Sequence, residues 1–446
     1  MKKFEISLQT VDLEKEPSVE NQFIFEIKNV TDTVQNSVIC LQTPLYTIPF
    51  EYLEIDIVDL EPNQTKQIDL NYQFTYGGRY VFYFWEKDAQ LDTLDKTSFF
   101  IPGSGFYSGD VHNHSFYSDG KSTLTENRAS MLDKGHSFLY STDHNTLEHG
   151  KEIIEFQRTE EAEEFLHMVG WEFTSKHGHA LAYGAEELYD PTKITEKHNL
   201  EQWQTYVDAM NRDNGIVFLA HPYEAPKYEF SDDVLMQIKD INGIEVWNGL
   251  NHHALSYQNR KAFEMWDALN RKGEEQYIGN AVSDAHTKEK QGKPYIKGYL
   301  NTLTQDSIHQ LLKSGCFIGS NGPEITFEIE NAQIGETYYI AEEKKTVKFS
   351  FTVFDPAGHI ENIILYKNVK DKGQRKAEKV LEIYPVGKSE RRFWKEVCYM
   401  DVSPNEFYRL EVVTAFGIVA YDAEANIQDK GFAYTNPIWI SRVKND

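Results

Sequence analysis

The runs IVFLAHP (216–222), GIEVWNG (243–249) and QYIGNAVSDAH (276–286) decide the reading of the fold. Each is a short, strand-like apolar run that closes on polar or turn residues. Between the last two lies SYQNRKAFEMWDALNRKG (256–273), with apolar residues at helical spacing and a terminal glycine. The same alternation extends upstream. FLYSTDH (138–144), LHMVGWEF (166–173) and HALAYG (179–184) read as strands, and LEQWQTYVDAMNRDNG (200–215) reads as a helix closed by Asn-Gly. Thr123-Leu124-Thr125-Glu126 has the form of a capping box ahead of helix-like NRASMLDKG (127–135). Strand–helix alternation over residues 105–322 predicts a mostly parallel α/β domain whose length suits a barrel.

The flanks have a different rhythm. In residues 1–104, FEISLQT, NQFIFEIKNV, SVICLQT, KQIDLNYQF and GGRYVFYFWE are short, partly alternating runs separated by turn-rich stretches. They predict an all-β sandwich-like domain, with IPGSG (101–105) as a linker. Residues 323–446 predict a second one from ITFEI, TVKFSFTVF, IENIILYKN and FYRLEVVTA. KNVKDKGQRKAEK (367–379) reads as a solvated hairpin loop, and EEAEE (160–164) as the wet face of a helix.

At 446 residues the chain has room for about three domains. Its 40% hydrophobic and 26% charged residues exclude a disordered chain, a collagen and a coiled-coil rod. No apolar run has the roughly 20 residues of a membrane helix. A net charge of −25 argues against nucleic acid and anionic lipid as partners, because both are bound by basic patches. MKKFEISLQT at the start lacks an apolar segment after its lysines. Cys40, Cys316 and Cys398 form neither a CxxC motif nor a disulfide framework. Together these features predict a cytoplasmic protein.

Histidine usage locates the chemistry. Of fifteen histidines, fourteen lie between His112 and His309. Many close a strand-like run: His112 and His114 follow GDV, His144 ends FLYSTDH, His221 lies in IVFLAHP, and Asp284 and His286 end GNAVSDAH. Glu172 likewise ends LHMVGWE. In α/β barrels the carboxyl ends of the strands converge on one face, where sites form. Imidazole and carboxylate are ligands for Zn, Mn and Fe. His112-x-His114 and Asp284-x-His286 each place two donors on one side of an extended chain. A carboxylate such as Glu172 has two oxygens and can bridge two ions. Asp143, beside His144, can orient a ligand or serve a turn. His252 and His253, after GIEVWNG, can line a pocket mouth. His136, next to Gly135, suits a helix end, and His149, His167, His198 and His309 read as surface or core-edge positions.

With these runs quoted, a resemblance appears. GDVHNHSFYSDG (109–120), STDHN, VGWEF, GHALAYG, FLAHPY and VSDAHT resemble, in this order, the motifs of the PHP (polymerase and histidinol phosphatase) superfamily over about residues 107–320. The resemblance implies a distorted (β/α)7 barrel that binds two or three divalent ions, mostly in phosphoesterases. The flanking β sections and FAYTNPIWIS (432–441) are similar to the carbaryl-hydrolase-like metallohydrolases, which extends the implied substrates to carbamates, carboxylic esters and amides. Carried over by residue, the resemblance implies one ion on His112, His114, Glu172 and Asp284, a second on Glu172, His179 and His221, and a third on Asp119, His144 and His286. It selects His179 over His177. His112, His114, Glu172, Asp284 and His286 are the implied catalytic set.

The chain is therefore expected to be a metal-dependent hydrolase of a small-molecule ester, using Zn, Mn or Fe and a metal-activated hydroxide. A phosphoester is the first expectation and a carbamate, carboxylic ester or amide the second. Lys176, Lys288, Lys290 and Lys293 are the cations near the motifs that could meet a phosphate. No P-loop, dinucleotide fingerprint or GxSxG elbow is present. A carbohydrate- or protein-binding scaffold is the non-enzymatic alternative, and the complete set of donors argues against it. A nucleic-acid-processing module is opposed by the net charge.

Overall fold

Alternation in the N-terminal section becomes two packed antiparallel sheets. Residues Glu20–Asn29 bury Phe23, Phe25 and Ile27 and turn the residues between them outward, the period of a half-buried strand. Phe4–Gln9, Glu20–Asn29, Thr65–Phe74 and Thr47–Ile48 form one sheet in that order. Gln35–Gln42 pairs with Tyr52–Leu60 on one side and Gly77–Glu86 on the other, and Asp95–Ile101 extends the second sheet. Phe23 and Phe25 of the first sheet meet Phe82 and Phe84 of the second in one apolar core. Aromatic pairs of this kind add about 0.5–1.5 kcal/mol each beyond their buried area.

This architecture comes from a computed structural model that describes residues 3–9, 14–87, 95–158, 163–224, 228–250, 253–273, 275–356, 358–370, 377–385, 392–415, 421–422, 427–428 and 430–443. Residues 1–107 with 300–303 form one compact unit, and residues 108–299 with 304–446 form another. The β section after residue 323 thus packs as part of the second unit. Residues 371–376 of the basic loop, residues 160–162 of the acidic run, and His252 lie outside the described residues.

The central section is a ladder of seven strands: β1 (Gly105–Asp110), β2 (Phe138–Ser141), β3 (Leu166–Ser175), β4 (Gly178–Tyr183), β5 (Ile216–Ala220), β6 (Gly243–Asn248) and β7 (Ile278–Val282). Neighbours in sequence are neighbours in the sheet. The two ends of the ladder approach through an isolated parallel bridge between Asn113 and Ala285. Among the described residues, five helices occupy the connections: α1 (Leu124–Asp133), α2 (Gly150–Phe156), α3 (Leu200–Arg212), α4 (Asp232–Gln237) and α5 (Tyr257–Lys272). The expected capping box is present on α1, where Thr123 and Glu126 satisfy each other's backbone N–H groups. Helix α3 buries Trp203, Tyr206, Val207 and Met210, the i, i+3, i+4, i+7 stripe of an amphipathic helix. Helix α5 is capped by Ser256 and stopped by Gly273 at φ 82°, and it buries Phe263, Trp266 and Leu269. Each of these side chains contributes about 1.5–3 kcal/mol of burial.

The expected distorted (β/α)7 barrel, mostly parallel, is not what the ladder shows. Strands β3 and β4 form an antiparallel hairpin, and β4 is antiparallel to β5 as well. The reason is the length of the connection: only Lys176 and His177 separate β3 from β4, and a parallel crossover needs about a dozen residues. The inversion has a consequence for placement. Because β4 runs backwards, its first residues lie beside the carboxyl ends of β3 and β2.

The C-terminal section folds as a second pair of sheets. Ile325, Phe327, Phe349 and Phe351 from one sheet share a core with Ile363, Leu365, Leu410 and Val412 from the other. Arg409 reaches from this section to α5 and makes a two-pronged contact with Asp267, at 2.9 Å and 2.8 Å, and a third bond to Glu411 at 2.6 Å. All three charges are buried. No helix among the described residues is long and apolar enough to cross a membrane.

Candidate metal centre

All nine residues expected to ligate metal come together at one end of the ladder, in three groups of mutually close donor atoms. His112 and His114 lie just beyond β1, His144 beyond β2, His221 beyond β5, and Asp284 and His286 beyond β7. Glu172 is in β3, and His144 makes an isolated parallel bridge to it. His179 is the second residue of the inverted strand β4, which explains how a residue at the start of a strand joins residues at the ends of others. His177 sits at the hairpin turn, half-buried and outside the donor groups.

Glu172 is the centre of the arrangement and is buried. Its Oε1 lies 2.9 Å from His179 Nδ1 and 3.1 Å from His221 Nε2. Its Oε2 lies 2.8 Å from His144 Nδ1 and 3.4 Å from Nε2 of both His112 and His114. One oxygen faces one group of donors and the other faces the remaining two. His112 Nε2 and His114 Nε2 approach to 3.2 Å, and Asp284 Oδ1 is 3.1 Å from the latter. The third group is the open one. Asp119, with its side chain 58% exposed, lies 3.4 Å from His144 Nε2 and 3.2 Å from His286 Nε2. His114 joins this third group as well as the first, which the sequence did not indicate.

The backbone is held in an uncommon conformation at two of these positions. His221 has φ 26° and Asp284 φ 49°. For residues other than glycine such conformations cost about 1–3 kcal/mol each and cluster at functional sites. Hydrogen bonds fix both turns: Asp284 N–H donates to the His112 carbonyl at 2.9 Å, and His221 N–H donates to Glu245 Oε2 at 2.7 Å.

Electrostatics make the site a sink for positive charge. Burial alone would push His112 towards neutrality, but Asp284, Glu245 and Glu172 outweigh it and raise its pKa well above the ordinary histidine value. The same contest raises His144 to about 10, with Glu172 and Asp119 outweighing burial, and His221 to about 9, through Glu172. Burial wins at His114 and His179, which are pushed down. Glu172 and Asp284 stay below the usual carboxylate range despite burial, because the imidazoles hold them there. Hydrogen bonds from His144 and His286 do the same for Asp119. The buried carboxylates thus favour positive charge on the groups they face. Buried His179 Nε2 and His221 Nδ1 have no hydrogen-bond partner among the described residues. Convergent imidazole nitrogens around shared carboxylates, with unused donor atoms, fit divalent Zn, Mn or Fe.

Several supporting residues escaped the sequence reading. Glu245, in the middle of GIEVWNG, is buried and its Oε1 lies 2.7 Å from His112 Nδ1. Asn248 donates to Glu245 at 3.1 Å and to Asp284 Oδ2 at 3.0 Å. Thr174 Oγ1 is within hydrogen-bond reach of His144 Nδ1. A carboxylate in an otherwise apolar strand was the available signal for Glu245, since a buried charge requires partners. Asp143 serves its loop: it accepts from Ser115 N–H and Oγ and from Ser118 Oγ, at 2.7–2.8 Å, and so ties down the segment that carries Asp119. His136, His149 and His167 are buried, against the expected surface or edge placement of the last two, while His198 and His253 are exposed.

No known family profile matches the sequence, and no curated protein matches it. Solved structures with a similar course of chain exist. One is a two-domain protein of Bacteroides vulgatus containing a predicted PHP-like metal-dependent phosphoesterase, 15% identical, with a TM-score of 0.41 over 75% of this chain and 96% of that one. A candidate metal-dependent phosphoesterase of Bifidobacterium adolescentis is 16% identical, with a TM-score of 0.33 over 46% and 94%. An amidohydrolase of Chromobacterium violaceum is 17% identical, with a TM-score of 0.30 over 40% and 87%.

Proposed function

We propose that this protein is a metal-dependent hydrolase of small-molecule esters, and a phosphoesterase within that class. The observation that carries the reading is the position of Glu172, whose two oxygens face separate groups of imidazoles in one buried site. His112, His114, Glu172 and Asp284 would hold one divalent ion, and Glu172, His179 and His221 a second. Asp119, His144 and His286 would hold a third. Bound ions would supply Lewis-acid polarisation of the ester and a water acidified towards neutrality.

The chain's own residues do the rest. Glu245 holds the Nδ1 side of His112, so that its Nε2 points at Glu172 and Asp284. Asn248 fixes Asp284 by holding the oxygen that faces away from His114. The buried histidines and Glu172 lie at the closed end of the site, while partly exposed Asp119, His144 and His286 face the entry. The free oxygens of a phosphate monoester would meet positive charge from three ions held there, whereas a carbonyl ester needs one Lewis acid.

The test is elemental analysis of the purified chain after repletion with zinc, manganese or iron, followed by a side-by-side screen of aryl phosphates and aryl carboxylic and carbamic esters. Two or three ions per chain with phosphate-ester turnover is the expected result. Less than one ion per chain overturns the multinuclear reading. Cleavage of esters or carbamates with no phosphate ester accepted replaces the phosphoesterase by the carbonyl-ester hydrolase.

A further inference from the structure

A cavity of about 560 Å³ opens at the hairpin end of β3 and β4, with Thr174, Lys176, His177, Ile194, Thr195 and Tyr228 among its walls. It adjoins the donor groups at two points. Thr174 is bonded to His144, and the Tyr228 ring lies 4.6 Å, centre to centre, from the ring of His179. Its volume is that of a small-ligand cleft. In a chain with 70 acidic residues, none of the lining side chains is acidic. Lys176 is the one lysine of the four near the motifs that faces this space. Lys288 is paired with Glu126, and Lys290 donates to the Leu250 carbonyl. Lys176 makes no ion pair or side-chain hydrogen bond among the described residues.

We propose that this cavity binds a carboxylate carried by the substrate on the side away from the ester that is cleaved. The substrate class is then an aryl phosphate with a carboxylate across the ring. This rests on the hydrolase reading of the adjoining site. Distance sets the spacing: Lys176 is four residues beyond Glu172 along the chain, roughly 13 Å if extended, and its stem recovers about 6 Å, so roughly one aromatic ring fits between. Ile194 and Tyr228 supply apolar wall for that ring, and the hydroxyls of Thr174 and Thr195 supply donors. A single ammonium with hydroxyls matches a singly charged carboxylate. A second phosphate would call for guanidinium or several cations, and among the described residues no arginine lines the cavity.

The experiment compares 4-carboxyphenyl phosphate with its neutral isostere, 4-carbamoylphenyl phosphate, on the metal-replete full chain. The carboxylate is expected to be preferred roughly ten-fold in kcat/KM, expressed in KM, the scale of one charge-assisted hydrogen bond. Lys176→Glu should abolish the preference and Lys176→Arg should keep it. Lys239→Glu, an exposed site remote in sequence, should leave it intact and so control for net charge. A readout without turnover is binding of 4-hydroxybenzoate against 4-hydroxybenzamide by titration calorimetry, where the acid should bind tighter in the wild type and not in Lys176→Glu. If both phosphates are cleaved equally, or the preference survives Lys176→Glu, the cavity proposal falls and the hydrolase reading stands. If neither is cleaved, the phosphoesterase reading falls, and the calorimetry decides the cavity: no Lys176-dependent preference for the acid overturns it.

Discussion

Replacing Glu172 by Gln should disable two ion sites at once. The amide keeps the volume of the carboxylate, so packing around this buried side chain changes little. What is lost is a negative charge. The group of Glu172, His179 and His221 would lose its only anionic ligand, and the group of His112, His114 and Asp284 would lose one of two nearby carboxylates. Residues that merely support a ligand cost about 10–100-fold in metal affinity when removed. A shared ligand should cost more than that, at least ~100-fold, at the site where it is the sole anion. Two ions carry four positive charges, and Glu172 with Asp284 offsets two of them. The glutamine variant leaves three uncompensated among buried side chains.

The assay is metal content by elemental analysis after dialysis against a fixed free-ion concentration, with turnover of an aryl phosphate measured in parallel. The variant is expected to retain about one ion fewer than wild type and to lose at least ~1,000-fold in kcat/KM, an effect of ~100-fold at one site compounded with one of at least ~10-fold at the other. Circular dichroism must show a folded chain. Near-wild-type metal content together with near-wild-type turnover would refute the bridging role and move Glu172 out of contact with metal.

Other consequences follow from the same geometry. Glu245→Gln weakens the hold on His112 without touching the donor groups, so metal affinity should drop about 10–100-fold, read by competition with a chelating dye; an unchanged affinity would make Glu245 a purely structural charge. Asp119→Ala opens the exposed third group, and phosphate-ester turnover should fall more than any carbonyl-ester turnover, measured as the ratio of the two kcat/KM values. Asp267→Ala strands the buried guanidinium of Arg409 and should destabilise the chain by about 3–5 kcal/mol in chemical denaturation. Burial would raise the pKa of Glu411, but Arg409 and Arg260 outweigh it and hold the carboxyl below its ordinary value. Its contribution is therefore complete above the unfolded value near 4.3 and is lost as pH falls through the lower folded value. Glu411→Gln should flatten that acid limb of the stability profile, and a profile as steep as wild type would count against the assignment.

The donor residues were legible because they obey a local rule: polar side chains at the ends of apolar runs, where strands of one sheet converge. His112, His144, His221 and Asp284 all satisfy it. His179 does not, since it stands at the start of its run. Its placement depends on the hairpin inversion of β4, and the brevity of Ser175-Lys176-His177-Gly178 was the sign of that inversion. The expectation of a mostly parallel (β/α)7 barrel departs from the structure at the same place and for the same reason. Local periodicity records that a segment is a strand, while its direction is set by the length of the connection before it.

Glu245 shows where local rules stop. Within GIEVWNG it interrupts an apolar strand, and its one partner within that run is Asn248, which donates to it at 3.1 Å. Its distant partners are His112, separated by 133 positions in the chain, and the backbone of His221. Burying a carboxylate without partners would cost several kcal/mol, so the strand can hold Glu245 only in a fold that delivers those two groups. The dependence runs both ways. His112 keeps its orientation because Glu245 is there, and the left-handed turn at His221 is held by the same carboxylate. A single buried acid thus couples the first donor group to the second from behind. Glu172 couples them from the front, through one oxygen towards each group.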